Sequence, residues 1–125
     1  MHPLLLLIHM EGTRAMRFGF AAMSQGVQVR VVSAAQTGET LAALCGLETI
    51  RNAPPLPVTE EMMVFAFFPD AALNSLLSAL RQTGLAPVRL RAVLTPHNRD
   101  WDCAHLQKEL ACEAAAFHAG KEGEK

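Results

Sequence analysis

Two short apolar runs stand out along the chain, Leu4–His9 (LLLLIH) and Met62–Phe68 (MMVFAFF). Runs of this length without polar interruption mark strands buried on both faces. Two further segments, Val27–Ser33 (VQVRVVS) and Val88–Leu94 (VRLRAVL), alternate apolar and polar positions, as strands with one solvated face do. Between them the period lengthens to that of a helix. Glu11–Gln25 carries Met16, Phe20 and Met23 at i, i+4 and i+7 and stops at Gly26. From Asp70, Leu73, Leu76, Leu77 and Leu80 line one helical face, with Asn74, Ser75, Ser78 and Arg81 opposite, until Gly84. Glu39–Cys45 reads as a short helix closed by Gly46. Arg51–Val58 (RNAPPLPV), with three prolines, reads as an extended connector. The last helix is expected from Asp100 to about His118, facing inward through Cys103, Leu106, Leu110, Ala114 and Phe117. These elements make residues 1–119 a single α/β domain, followed by a polar tail over 120–125 (GKEGEK).

Strand, acid-started helix, glycine and strand recur in Leu4–Ser33 and Met62–Thr95, and each copy ends on a hydroxyl residue, Ser33 or Thr95. A duplicated βαβ unit fits two four-stranded sheets. One is all parallel in the order 2-1-3-4, and the other is ferredoxin-like in the order 4-1-3-2. Both centre the apolar first and third strands. The long step from strand two to strand three, with its own short helix, favours the parallel sheet, since a ferredoxin-like fold needs only a hairpin there.

At 125 residues the chain buries roughly two-thirds of its unfolded surface on folding, and a 50% apolar composition supplies the core. The net charge of -1 gives no electrostatic footprint for nucleic acid or acidic lipid. Arg81, Arg89, Arg91 and Arg99 cluster locally, and a solvated strand face accounts for them. MHPLLLLIH lacks a basic lead and a small-residue cleavage site, and no run is long enough to span a bilayer, so a cytoplasmic location without membrane contact is expected. Cys45, Cys103 and Cys112 are odd in number and lack CxxC spacing, which indicates free thiols and neither a disulfide framework nor a zinc site.

The segments MMVFAFFPDAALNSLLSALRQTGL and VRLRAVLTPHNRDWDCAHLQKEL carry a resemblance. Through Ala92, Val93, Leu94, Thr95, Pro96, Asn98, Trp101 and Leu110, the second half resembles a family of small bacterial proteins catalogued as a domain of unknown function. Members carry a Tyr-Gly-Gln-Pro-like turn after the second strand, where this chain reads AAQTGETLAAL without the aromatic or the proline. The resemblance implies a family identity and supplies no catalytic residues.

The candidate ligand site follows from the parallel sheet, which would place the turns after strands two and four on one rim. Ser33, Gln36, Thr37 and Gly38 would then stand beside Thr95, Pro96, His97, Asn98 and Trp101. A purely architectural role competes: Pro96 ends the strand, Asn98 caps the helix, Asp100 complements its dipole and Trp101 clamps the turn. His105, Glu109 and Cys112 share a helix face but lack a further metal ligand, and nothing brings His97 to Cys45 or Cys103 as a nucleophile pair. No GxSxG, P-loop, GxGxxG or HExxH occurs. The expectation is a non-enzymatic interaction module without cofactor or metal, with a homodimer as one form of it. A small-ligand or enzymatic domain using the shared polar rim is the second reading.

Overall fold

The computed structural model describes residues 2–123, with side chains described as far as Ala115. Its elements are β1 (Leu4–Ile8), α1 (Gly12–Met23), β2 (Gln28–Val32), α2 (Leu41–Leu44), β3 (Met62–Ala66), α3 (Asp70–Gln82), β4 (Leu90–Val93) and α4 (Cys103–Gly123). A 3₁₀ turn over Ala34–Gln36 precedes α2. The helix of the last segment runs on through Gly123, past the end near His118 that periodicity suggests. Phe117 of its expected inward stripe lies outside the described side chains, as do Glu124 and Lys125 of the tail.

The four strands form one sheet in the order β2-β1-β3-β4. This is the expected order, but the sheet is mixed and not purely parallel: β1 pairs with β2 and β3 with β4 in parallel, while the central pair β1 and β3 is antiparallel. The cause lies in the crossover. The chain leaves β2 at Val32, crosses beneath the sheet through α2, and returns to the rim it left, so that Met62 enters beside Ile8. A buried apolar strand has no preferred direction, and the entry point decides it.

Because strand side chains alternate faces, the sheet has two cores. Leu5, Leu7, Met63 and Phe65 pack under α1 and α3 through Ala15, Phe18, Ala22, Leu76 and Leu80. Leu4, Leu6, Ile8, Met62, Val64, Ala66 and Leu90 pack on the other face against Leu41, Leu44, Cys103, Leu106 and Leu110. Leu73, Leu76, Leu77 and Leu80 of α3 face the core as their spacing indicates. For α1 the spacing misleads: Ala15, Phe18, Gly19 and Ala22 are buried, whereas Met16, Phe20 and Met23 stand 53%, 60% and 52% exposed.

The duplicated unit is an approximate two-fold repeat about the central Leu6–Val64 pair. His9 and Phe67 follow equivalent strands, and both adopt left-handed backbone, φ +56° and +66°. Phe18 and Leu76, and Ala22 and Leu80, occupy equivalent buried helix positions. Gly26 and Gly84 end the two helices at φ +76° and +73°, a conformation that a side chain resists. The repeat continues beneath the sheet. Thr40 caps α2 by accepting from Ala43 N, Asp102 caps α4 by accepting from His105 N, and Thr40 and Asp102 bridge to each other. Among the described residues no helix is long and apolar enough to cross a membrane.

Candidate functional site

The turn after β4 is built around Asn98, a buried side chain with every polar atom engaged. Its Oδ1 accepts from Thr95 N at 2.9 Å, its Nδ2 donates to Val93 O at 2.9 Å, and its backbone N–H donates to Thr95 Oγ1 at 3.2 Å. Asn98 thus closes the turn and does not cap a helix as its position suggested. The helix does not open at Asp100 and Trp101 either, because the carbonyls of Arg99 and Trp101 accept from Ala42 N and Leu41 N of the crossover. Only after that pairing does α4 begin, at Cys103 under the Asp102 cap. Trp101 packs against the lower core with His105 stacked on it, ring centres 4.5 Å apart and planes 19° apart, and His97 edge-on at 5.3 Å.

The turn after β2 repeats this plan more loosely. Gln36 Oε1 accepts from Ser33 N at 3.3 Å and lies 3.5 Å from Ser33 Oγ. Thr37 is buried and ties the turn to the proline connector, its Oγ1 accepting from Leu56 N at 2.9 Å and donating toward the Leu56 carbonyl at 2.7 Å. Gly38 passes so close to the connector that a Cβ there would run into the Pro54 carbonyl. The buried Glu39 carboxylate accepts from Arg51 N and Ala53 N, which fixes the same connector.

These two turns do not share a rim. The antiparallel β1–β3 pair sends the ends of β2 and β4 to opposite edges of the sheet, about 16 Å apart for strands of five residues. The expected grouping of Ser33, Gln36, Thr37 and Gly38 with Thr95, Pro96, His97, Asn98 and Trp101 is corrected accordingly. Ser33 and Thr37 line one groove, and Thr95 and Pro96 line another. Just past these turns the chain is tied together through backbone, where Cys103 N donates to Thr37 O at 3.2 Å and Leu41 N and Ala42 N donate to the carbonyls of Trp101 and Arg99.

The groove at Ser33 is the larger, about 850 Å³. It is walled by Met16, Gly19, Phe20 and Met23 of α1, floored by Val29 and Val31 of β2, and closed at one end by Leu56, Pro57 and Val58. Val29 and Val31 pair with Leu5 and Leu7, so they lie on the helix-covered face beside that wall. The helix lies over this strand at Gly19, where a Cβ would stand 3.8 Å from the Val29 side chain, an ordinary packing distance. Periodicity alone assigned the α1 residues to an ordinary helix stripe. The signal that could have found the groove is the repeat, because Met16, Phe20 and Met23 correspond to Asn74, Ser78 and Arg81 of α3.

Titratable chemistry is sparse. Burial pushes the Cys45 thiol up to about 11 and the Cys103 thiol up to about 12, the latter raised further by Asp102. Cys112 is exposed. His105 Nε2 lies 3.5 Å from Glu109 Oε1, and among the described residues no three His, Cys, Asp or Glu side chains are grouped to hold a metal ion.

No curated protein and no solved structure matches the chain. A family model described as Domain of unknown function (DUF3783) matches residues 61–117, which takes in β3, α3, β4, the Thr95–Trp101 turn and much of α4. The second half of this chain, with its Asn98-centred turn, is therefore similar to the DUF3783 family over residues 61–117.

Proposed function

We propose that the protein is a non-enzymatic interaction module acting in the cytoplasm, and that its contact surface is the groove between α1 and the β2 edge. One observation carries this reading. The outer face of α1 presents Met16, Phe20 and Met23, where the equivalent face of α3 presents Asn74, Ser78 and Arg81. The fold is satisfied by polar residues at these places, as its own repeat demonstrates. Apolar surface left in water costs roughly 25 cal/mol per Å², and methionine adapts readily to a partner's shape. A patch of this kind marks an interaction site.

The remaining chemistry supports binding over catalysis. Burial raises the Cys45 and Cys103 thiols, the reverse of what activates a nucleophile. His97 and His105 hold their rings against Trp101. The free cysteines suit a reducing compartment. Ser33 and Thr37 contribute the polar end of the groove.

A photo-crosslinking residue, p-benzoylphenylalanine, at Phe20 tests the reading, with the same probe at Ser78 as the internal control. Irradiation in cells is expected to yield discrete protein adducts from position 20 and none from position 78. No adduct from either position, or equal yields from both, would overturn it.

A further inference from the structure

We infer that the groove is filled by a second copy of this chain, joined edge to edge through β2. The inference rests on the groove being a contact surface and names its occupant.

The fold already contains the arrangement. In the middle of the sheet β1 and β3 run antiparallel, with α1 and α3 side by side on one face. Repeating that operation at the outer edge sets β2 antiparallel to β2 of a second copy and brings α1 against α1. The strip of Met16, Phe20, Met23, Val29 and Val31 would then meet itself, as a two-fold interface requires. A register centred on Val31 sets Arg30 opposite Val32 of the second copy and not opposite its like charge. With a net charge of -1 per chain, two copies repel little.

The two sheet edges are not equally open to this. On β4, Arg91 occupies the place of Val29 on the helix-covered face, and it lines one groove with Arg81 and Pro87. Charge and proline are the means by which edge strands are kept from pairing. On β2 the single charge, Arg30, lies on the opposite face from the strip, since it pairs with Leu6 of the lower core.

Area agrees as well. Met16, Phe20, Met23 and Val31 are each half or more exposed, and Leu56 is 38% exposed. Together they present apolar surface on the order of 500 Å², while a standard interface uses about 800 Å² per partner with a core about 65% apolar. One strip of this size matches what one subunit of a stable dimer contributes.

Sedimentation equilibrium of the purified full chain, combined with benzoylphenylalanine at Phe20, tests the inference. Expected are a dimer at micromolar concentration and a crosslinked product of twice the chain mass. The triple variant Met16→Asn, Phe20→Ser, Met23→Arg gives α1 the outer residues of α3, so it keeps its far-ultraviolet circular dichroism and associates at least about 100-fold more weakly. A wild-type monomer at roughly 100 µM that crosslinks in cells to a different protein overturns the second copy and leaves the groove as a contact surface. A monomer that yields no adduct in cells overturns both. A dimer whose affinity the triple variant does not change overturns the placement at α1 and β2.

Discussion

The two halves of this molecule share one plan and differ in what they show to solvent. Each half places a buried apolar strand at the centre, turns it through a left-handed residue, covers it with a helix ended by glycine, and returns through a parallel edge strand to a hydroxyl–amide turn. Inside, the halves are equivalent: Phe18 answers Leu76, and Ala22 answers Leu80. Outside, they diverge. The second half is polar on α3 and sets Arg91 on the helix-covered face of β4 beside Val93, whereas the first is apolar on α1 and sets only valines on that face of β2, its Arg30 lying on the other. The turns diverge in the opposite sense, since Asn98 is buried and fully bonded while Gln36 is only partly covered and makes longer contacts. A repeat thus serves as its own control. What both halves keep is needed for folding, and what one half alone carries calls for a reason elsewhere.

The core pair should give the largest effect. Phe18→Ala and Leu76→Ala each remove a buried side chain from the same cluster and should cost about 3–5 and 2–5 kcal/mol respectively in urea denaturation. A large inequality between them would break the equivalence of the two units.

The turns come next and should be unequal. Asn98→Ala strands Val93 O and Thr95 N and should cost about 2–3 kcal/mol, whereas Gln36→Ala, with its long bonds at a surface turn, should cost less than about 1 kcal/mol. Equal losses would erase the distinction drawn between them.

The buried thiols set a pH window. Unfolded cysteines ionise near 9, but Cys45 and Cys103 in the fold do so only near 11 and 12, so between these values the folded state holds more protons. Stability should be full below about pH 9 and decline above it, most visibly as a falling denaturation midpoint. The double variant Cys45→Ala, Cys103→Ala should flatten that decline. At neutral pH a maleimide should label Cys112 alone until the protein is unfolded.

Much of this architecture was legible in the residues. The apolar runs named the central strands, the arginine-bearing alternation named the edges, and the leucines of α3 named its inner face. The direction of β3 was not legible, because Met62–Ala66 is buried equally well either way and a long crossover can deliver it to either rim. The start of α4 was obscured by residues that resemble caps. Asn98 and Asp100 suit a helix start, yet the carbonyls of Arg99 and Trp101 are taken by the crossover backbone, a tertiary contact without local signature. The groove was half legible. Two apolar stripes on α1, Ala15–Phe18–Ala22 and Met16–Phe20–Met23, both satisfy helical spacing, and only the polar counterparts on α3 single out the second as surplus.

Amide hydrogen exchange of the two edge strands, followed by mass spectrometry as protein concentration is raised, bears most directly on the contrast between the halves. Protection over Gln28–Val32 is expected to rise with concentration while protection over Leu90–Val93 stays constant, because only the unguarded edge gains a partner. Exchange that is independent of concentration at both edges, or that slows equally at both, would contradict the assignment of the first half's outer face to an interface.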